Sequence, residues 1–256
     1  MIEGTLRRDR VIVVCALIAV IVLSWGYLLA GAGIGMHEMD GMLMPMRIGP
    51  WTLAYAGVML VMWAVMMAAM MLPSAAPMLL FYGSIARRRQ EKGDTTAATG
   101  MFALGYVAIW TLFSLTAIAL QFGLEQVSLL SPMMETTSIG FAGTVLLAAG
   151  VYQWTPLKQA CLRQCRSPLE FVMTQWREGK WGAFVMGLQH GSYCLGCCWV
   201  LMMLLFVGGV MNLTWITGLA VFVLVEKLAP AGHWIGRVAG AGLIAWGIAT
   251  LGKLAY

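Results

Sequence analysis

The sequence predicts an all-α protein, a polytopic membrane helical bundle of about seven transmembrane helices forming a single domain over residues 1–256, with its N-terminus on the cytoplasmic side. Three observations carry this. Hydrophobic residues make up 61% of the chain and charged ones 11%, where a soluble domain spends about a quarter of its residues on charge. The apolar residues, which give the whole chain a mean hydropathy of +0.82, come in repeated runs near the roughly 20 needed to cross hydrocarbon. Basic residues cluster between alternate runs, as cytoplasmic loops require. No stretch is left for a soluble domain of useful size, so the lipid bilayer is the first partner. The formal charge of +5 follows from orientation, and nothing in the chain speaks for nucleic acid.

The first span, residues 11 to 30, follows Arg7, Arg8 and Arg10. No small-residue cleavage site precedes Met36, so it reads as a retained helix rather than a removed signal. The loop behind it, Met36-His37-Glu38-Met39-Asp40-Gly41-Met42-Leu43-Met44-Pro45-Met46, lacks a basic excess and faces outward. Thioethers select copper(I), because a polarizable sulfur suits a soft ion. Met36, His37, Met39, Met42, Met44 and Met46 are therefore candidate collectors of a soft metal; the plainer reading is that these side chains touch lipid.

The second span, 51 to 72, places Met59, Met62, Met66 and Met70 in one helical stripe and ends at Pro73, with Pro77 beyond. Either the flexible Met side chains fill gaps between helices, or Met66 and Met70 line a thioether site. The two prolines would free backbone carbonyls, so a break is expected there. Arg87, Arg88, Arg89 and Lys92 follow on the inside. Spans three and four cover 99 to 122 and 138 to 154, joined by an outer loop near Glu125 to Thr137. Next comes a basic inner segment with Cys161 and Cys165. A reducing compartment disfavours a disulfide, and Lys158, Arg163 and Arg166 would stabilise thiolates if the segment were compact. Metal exchange and a structural or headgroup-facing role both fit.

The fifth span, 182 to 207, carries the run His190-Gly-Ser-Tyr-Cys194-Leu-Gly-Cys197-Cys198-Trp199. On a helix His190, Cys194 and Cys197 fall within roughly 60° of one another, and Cys198 roughly 60° further on. A lone Cys such as Cys15 is a small buried hydrophobe, but a buried His needs a partner, and three Cys beside it suggest a ligand set. Cys197 and Cys198 point roughly 100° apart, which argues against a disulfide between them. Counting along each helix puts Met66 and Met70 near the level of His190 and Cys194. If the second and fifth spans pack together, their soft ligands converge, with Gly187, Gly191 and Gly196 permitting close approach. The sixth span, 213 to 228, ends in Glu226 and Lys227, expected as an interfacial pair with Lys227 snorkelling outward. The seventh, 234 to 252, has Gly236, Gly240 and Gly242 for close packing.

These motifs match a known pattern. Tyr152-Gln-Trp-Thr-Pro156-Leu-Lys158-Gln-Ala-Cys161-Leu-Arg-Gln-Cys165-Arg-Ser-Pro168, the run from His190 to Met202, Glu226-Lys227 and Met66-Met-Ala-Ala-Met70-Met-Leu-Pro73 together resemble the domain of unknown function 2182 family. That family is described as predicted metal-binding integral membrane proteins of bacteria, and the resemblance covers most of the chain after the first span. It implies a membrane metal site at these residues and names neither the metal nor a reaction.

The expected function is an inner-membrane protein of bacteria handling copper(I), or another soft or borderline metal, by transport or by delivery to a donor or acceptor protein. His190, Cys194, Cys197 or Cys198 would bind it with Met66 and Met70, and Cys161 and Cys165 would exchange it inside. One rival is a membrane-embedded metal- or thiol-dependent redox enzyme, for which no acid–base set stands beside the cluster. The other is a non-catalytic subunit of a membrane complex, as a homo- or hetero-oligomer.

Overall fold

The computed structural model describes residues 2–33, 36–39, 42–45, 51–89, 95–131 and 134–254. Among the described residues, the fold is all-α apart from one short hairpin. Its elements run α1 (Ile2–Leu29), β1 (Met36–Met39), β2 (Met42–Pro45), α2 (Leu53–Arg89), α3 (Thr95–Gln126), α4 (Ile139–Tyr152), α5 (Pro156–Arg166), α6 (Pro168–Gln175), α7 (Gly179–Met203), α8 (Leu205–Gly208), α9 (Leu213–Leu228) and α10 (Gly232–Gly252). Among the described residues, five helices are long and apolar enough to cross a membrane: Arg10–Leu29, Leu53–Arg87, Ala98–Gln126, Gly179–Gly208 and Gly232–Gly252. The remaining two predicted spans are helical but shorter, 14 residues in α4 and 16 in α9.

Local chemistry sets the helix starts. Ser138 caps α4 by accepting from the Phe141 N–H at 3.2 Å, and Asn212 caps α9 by accepting from the Trp215 N–H at 3.2 Å, each satisfying an otherwise orphaned donor. Thr155 does the same for Lys158 at 3.3 Å, with Pro156 in the first turn of α5, where a missing N–H costs nothing. The expected break at the second span is absent. α2 continues through Pro73 and Pro77 as one helix of 37 residues, and near them the Met71 carbonyl also accepts from the Ser74 and Tyr106 hydroxyls. Prolines are tolerated inside a helix that neighbouring helices pack around.

The core is a layer of long helices. α3 packs along α7 and α2, α1 lies on the outside of α2, α9 meets α2, and α10 pairs with α4. Glycine permits the two tightest crossings. A Cβ on Gly187 of α7 would strike the Phe102 carbonyl of α3, and one on Gly105 would strike the Phe184 carbonyl. On the other side a Cβ on Gly150 of α4 would come within 2.7 Å of the Gly240 carbonyl of α10. Close backbone approach of this kind substitutes for a hydrophobic driving force between membrane helices. Gly240 serves as expected, Gly187 packs on α3 rather than on α2, and Gly242 faces open space. α2 and α7 do not share a broad face of their own; α3 and α9 join them.

Candidate metal centre

The Gly105–Gly187 crossing draws α3 so close to α7 that Tyr106 meets Cys194. The phenol oxygen lies 3.0 Å from Cys194 Sγ and donates to the Met71 carbonyl of α2 at 3.3 Å. From the last turn of α9, Lys227 donates to Cys194 Sγ at 2.9 Å and to Ser74 Oγ of α2 at 3.1 Å. Four helices thus converge on one sulfur, which is buried with Lys227 and Ser74. Sequence reasoning set Lys227 at the interface beside Glu226. It is instead 6% exposed and turned inward, while Glu226 faces away from it and pairs with Lys158 at 2.8 Å, both side chains sealed from solvent. An ammonium inside an apolar bundle marks a functional position, which was the available signal for Lys227; Tyr106 and Ser74 gave none.

The rest of the run from His190 is buried too, at 2%, 1%, 0% and 0% exposure for His190, Cys194, Cys197 and Cys198, which agrees with one inward face. Cys197 and Cys198 turn their thiols back onto the Cys194 carbonyl, at 3.1 and 2.9 Å. His190 sits among aromatic rings, with centroids of Phe171, Tyr106 and Phe102 at 5.4, 5.7 and 6.0 Å. Its Nδ1 is buried and has no hydrogen-bond partner. Unpaired buried nitrogens are rare enough to need a reason, and an imidazole nitrogen is a common metal ligand.

α5 brings its two cysteines to the same place. Cys161 Sγ would lie 2.7 Å from a Cβ on Gly196 of α7, so the bare glycine admits it. The Tyr152 hydroxyl donates to the Gly196 carbonyl beside it. The Cys165 thiol hydrogen-bonds to Cys194 and Cys197, and those bonds, followed by burial, hold its pKa well above the usual thiol value. Burial, then the neighbouring Cys197, raises Cys161 as well. The expectation that basic neighbours favour thiolates here is overturned. Lys158 is spent on Glu226, and Arg166 donates to the Ala229 and Pro230 carbonyls at 2.6 and 2.8 Å, where a cation satisfies the end of α9.

Among the sequence-predicted ligands, the structure therefore brings Cys165, Cys194, Cys197 and Cys198 together, with Cys161 at their edge. Met66 and Met70 are buried at 1% exposure each, and the α2 groups bonded to the partners of Cys194 are the Met71 carbonyl, on Tyr106, and the Ser74 hydroxyl, on Lys227. The outer Met-rich loop pairs its backbone as a hairpin, Met36 with Pro45, His37 with Met44 and Met39 with Met42. Its side chains, and Met46 entirely, lie outside the described residues. Among the described residues, no three of His, Cys, Asp and Glu are already grouped as a metal ion would hold them. Each sulfur of the cluster is instead engaged by a proton donor or a carbonyl, so a metal would bind here by exchanging hydrogen bonds for metal–sulfur bonds.

The class these observations define is a helical protein with a buried, multi-helix thiol centre. A family model described as PpoB2, copper chaperone, matches residues 60–250, and the chain belongs to that family. The matched interval takes in α3, α5, α7 and α9 and the part of α2 whose Met71 and Ser74 bond Tyr106 and Lys227. It also contains the motifs that resemble the domain of unknown function 2182 family, and it supports a copper-related family rather than that name specifically. No curated protein and no solved structure matches the chain.

Proposed function

We propose that this chain is a multi-pass protein of the bacterial inner membrane that carries copper(I) as cargo and exchanges it with a donor or acceptor protein through the cysteines of α5 and α7. The observation that carries this reading is the gathering of Cys197 and Cys198 on the Cys194 carbonyl and of Lys227 on the Cys194 sulfur, with the Cys165 thiol beside them, in a chain belonging to a copper chaperone family. Thiolates are the soft ligands copper(I) prefers. Two thiolates on one copper(I) leave a net negative charge, and the Lys227 ammonium stands where it offsets that charge. Cys161 and Cys165, on a short helix rather than in a span, give the cluster a side open to a partner.

Helix lengths support the membrane placement. From their outer ends α4 and α9 run about 20 to 24 Å and finish at the level of Gly196 and Cys194, where Tyr152 and Lys227 bond. α2, α3 and α7 continue past that level toward the basic residues after α2. The cluster then lies near the inner face of a hydrocarbon layer about 30 Å thick, with the N-terminus cytoplasmic and all seven predicted spans crossing.

Metal analysis of the purified full chain tests the reading. Wild type, Cys194→Ser and His190→Ala/Cys194→Ser are loaded with copper(I) or zinc(II) and washed. Copper(I) is expected to stay on wild type and to leave both variants, and zinc(II) is expected to be retained poorly by all three. Equal, near-zero copper in wild type and variants would end the proposal.

A further inference from the structure

A second sulfur group lies far from the cysteines, and its hydrogen bonding is out of balance. Gln121 of α3 is fully buried. Its Oε1 accepts from the Trp63 indole N–H at 2.8 Å, and because an indole can only donate, that bond fixes which way the amide points. Its Nε2 therefore faces Glu125 Oε1 at 2.9 Å, Met134 Sδ at 3.5 Å and Met59 Sδ at 3.6 Å. Two amide hydrogens face three acceptors. A thioether is a weak acceptor, so two of them give the amide little, and one amide nitrogen is an odd occupant for a pocket of two thioethers and a carboxylate.

The surroundings hold that acceptor set in place. Glu125 has its other oxygen fixed by the Trp51 indole at 2.7 Å, which aims Oε1 inward. Met59 and Met134 are buried at 0% and 6% exposure. Met134 reaches the pocket from a backbone with φ of 56°, a left-handed conformation that costs a non-glycine residue about 1 to 2 kcal/mol; its N–H donates to the Ser131 carbonyl at 2.9 Å. Met59 lies on the α2 stripe that continues to Met62, Met66 and Met70. Along that helix it is about 22 Å from Ser74 at the thiol cluster.

We propose that Met59, Met134 and Glu125 form a second, outer site for a soft monovalent cation, with the Gln121 amide as the group that turns aside when the ion enters. Two thioethers supply soft ligands for copper(I) or silver(I). The single carboxylate matches the single positive charge, so the loaded site is neutral. Divalent hard cations gain nothing from the sulfurs. The choice of copper(I) as natural cargo rests on the function proposed above; the site itself rests on the four side chains named here.

Silver(I) is the probe, since it shares the charge and softness of copper(I) and needs no reductant. The full chain, labelled with 13C-methyl methionine, is titrated in detergent as wild type, Met59→Leu/Met134→Leu, Glu125→Gln, and Cys165→Ser/Cys194→Ser/Cys197→Ser. Met→Leu keeps core volume, and the double variant also assigns the two methyl signals. The Met59 and Met134 methyls are expected to shift with silver(I) in wild type and equally in the cysteine variant. Affinity read from these methyls is expected to fall several-fold in Glu125→Gln, and the methionine variant, which lacks them, is expected to retain less silver(I) by metal analysis than wild type. Silver(I) that moves other signals and leaves these two methyls unmoved overturns the outer site while leaving the copper reading intact. Shifts at neither place, with no silver bound, overturn both. Unchanged affinity in Glu125→Gln removes the carboxylate from the proposal and with it the charge-matched site.

Discussion

The two sulfur groups of this molecule differ in what surrounds them. The inner one has a cation in it: Lys227 donates to Cys194, the Tyr106 phenol lies against the same sulfur, and the Cys165 thiol stands beside Cys194 and Cys197. The outer one is rich in acceptors, with Met59, Met134 and Glu125 around one amide. Thiols must release protons to bind a metal, and a cation beside them takes up the charge that appears. Thioethers carry no proton and no charge, so they bind weakly and release readily. A proton-linked thiol site at one end and a site of two thioethers and a carboxylate at the other, as proposed above, would suit a cargo that must be collected and then handed over.

The largest expected effect breaks the inner site alone. Cys194→Ser removes the sulfur on which Lys227, Tyr106 and Cys165 converge, and copper(I) affinity measured against a competing chelator should fall at least about a hundredfold, near 3 kcal/mol. Silver(I) shifts at Met59 and Met134 should persist. Loss of both together would mean that the two groups are one site or that the fold has collapsed. Next in size is Lys227→Met, which leaves Ser74 and Cys194 without their buried donor. Stability in detergent should drop by about 1 to 3 kcal/mol, and the copper-loaded form should lose more than the metal-free form, since the loaded cluster depends on the ammonium. Equal loss in both would separate Lys227 from charge compensation.

How much of this was readable in advance depended on distance along the chain. The seven apolar segments were visible because membrane hydropathy is a local property, and each proved helical even where α4 and α9 are short. The inward face from His190 to Cys198 was visible because helical periodicity fixes it. The convergence of α5 on α7 was not, since Cys161 reaches Gly196 only through the fold. Pro73 and Pro77 misled because each proline removes only one helical hydrogen bond, and α2 runs through both as one helix. Lys227 misled for a related reason: Lys at a helix end usually snorkels, and only the position of Cys194 turns it inward. Met59 was read only as part of the α2 stripe, packing or a thioether lining, and Gln121 and Glu125, one turn apart on α3, form no motif with Met134.

A mid-sized effect sharpens the outer half of the comparison. Gln121→Leu removes the donor shared by the two sulfurs and Glu125 and leaves the Trp63 indole unpaired, which should cost about 1 to 3 kcal/mol of stability in the ion-free protein. Saturating silver(I) should restore part of that loss, because the ion satisfies the sulfurs and the carboxylate and stabilises whatever state binds it. Thermal melts with and without silver(I) read both quantities. No recovery would show that the amide is part of a structural network and that nothing displaces it.

The smallest effect is the most discriminating for the inner half. Tyr106→Phe deletes one hydroxyl that touches Cys194 and the Met71 carbonyl, while the Gly105–Gly187 crossing that positions it is untouched. Stability should change by about 0.5 to 1.5 kcal/mol, the net worth of a typical bond of this kind. Copper(I) affinity should move in the opposite direction, rising by up to a few-fold, because a metal no longer has to displace the phenol from the sulfur. A fall in affinity would instead make the hydroxyl a supporting partner of the bound form, holding Cys194 in place once its proton has gone. The sign of that small change therefore decides whether the donors around Cys194 compete with the cargo or orient the sulfur for it.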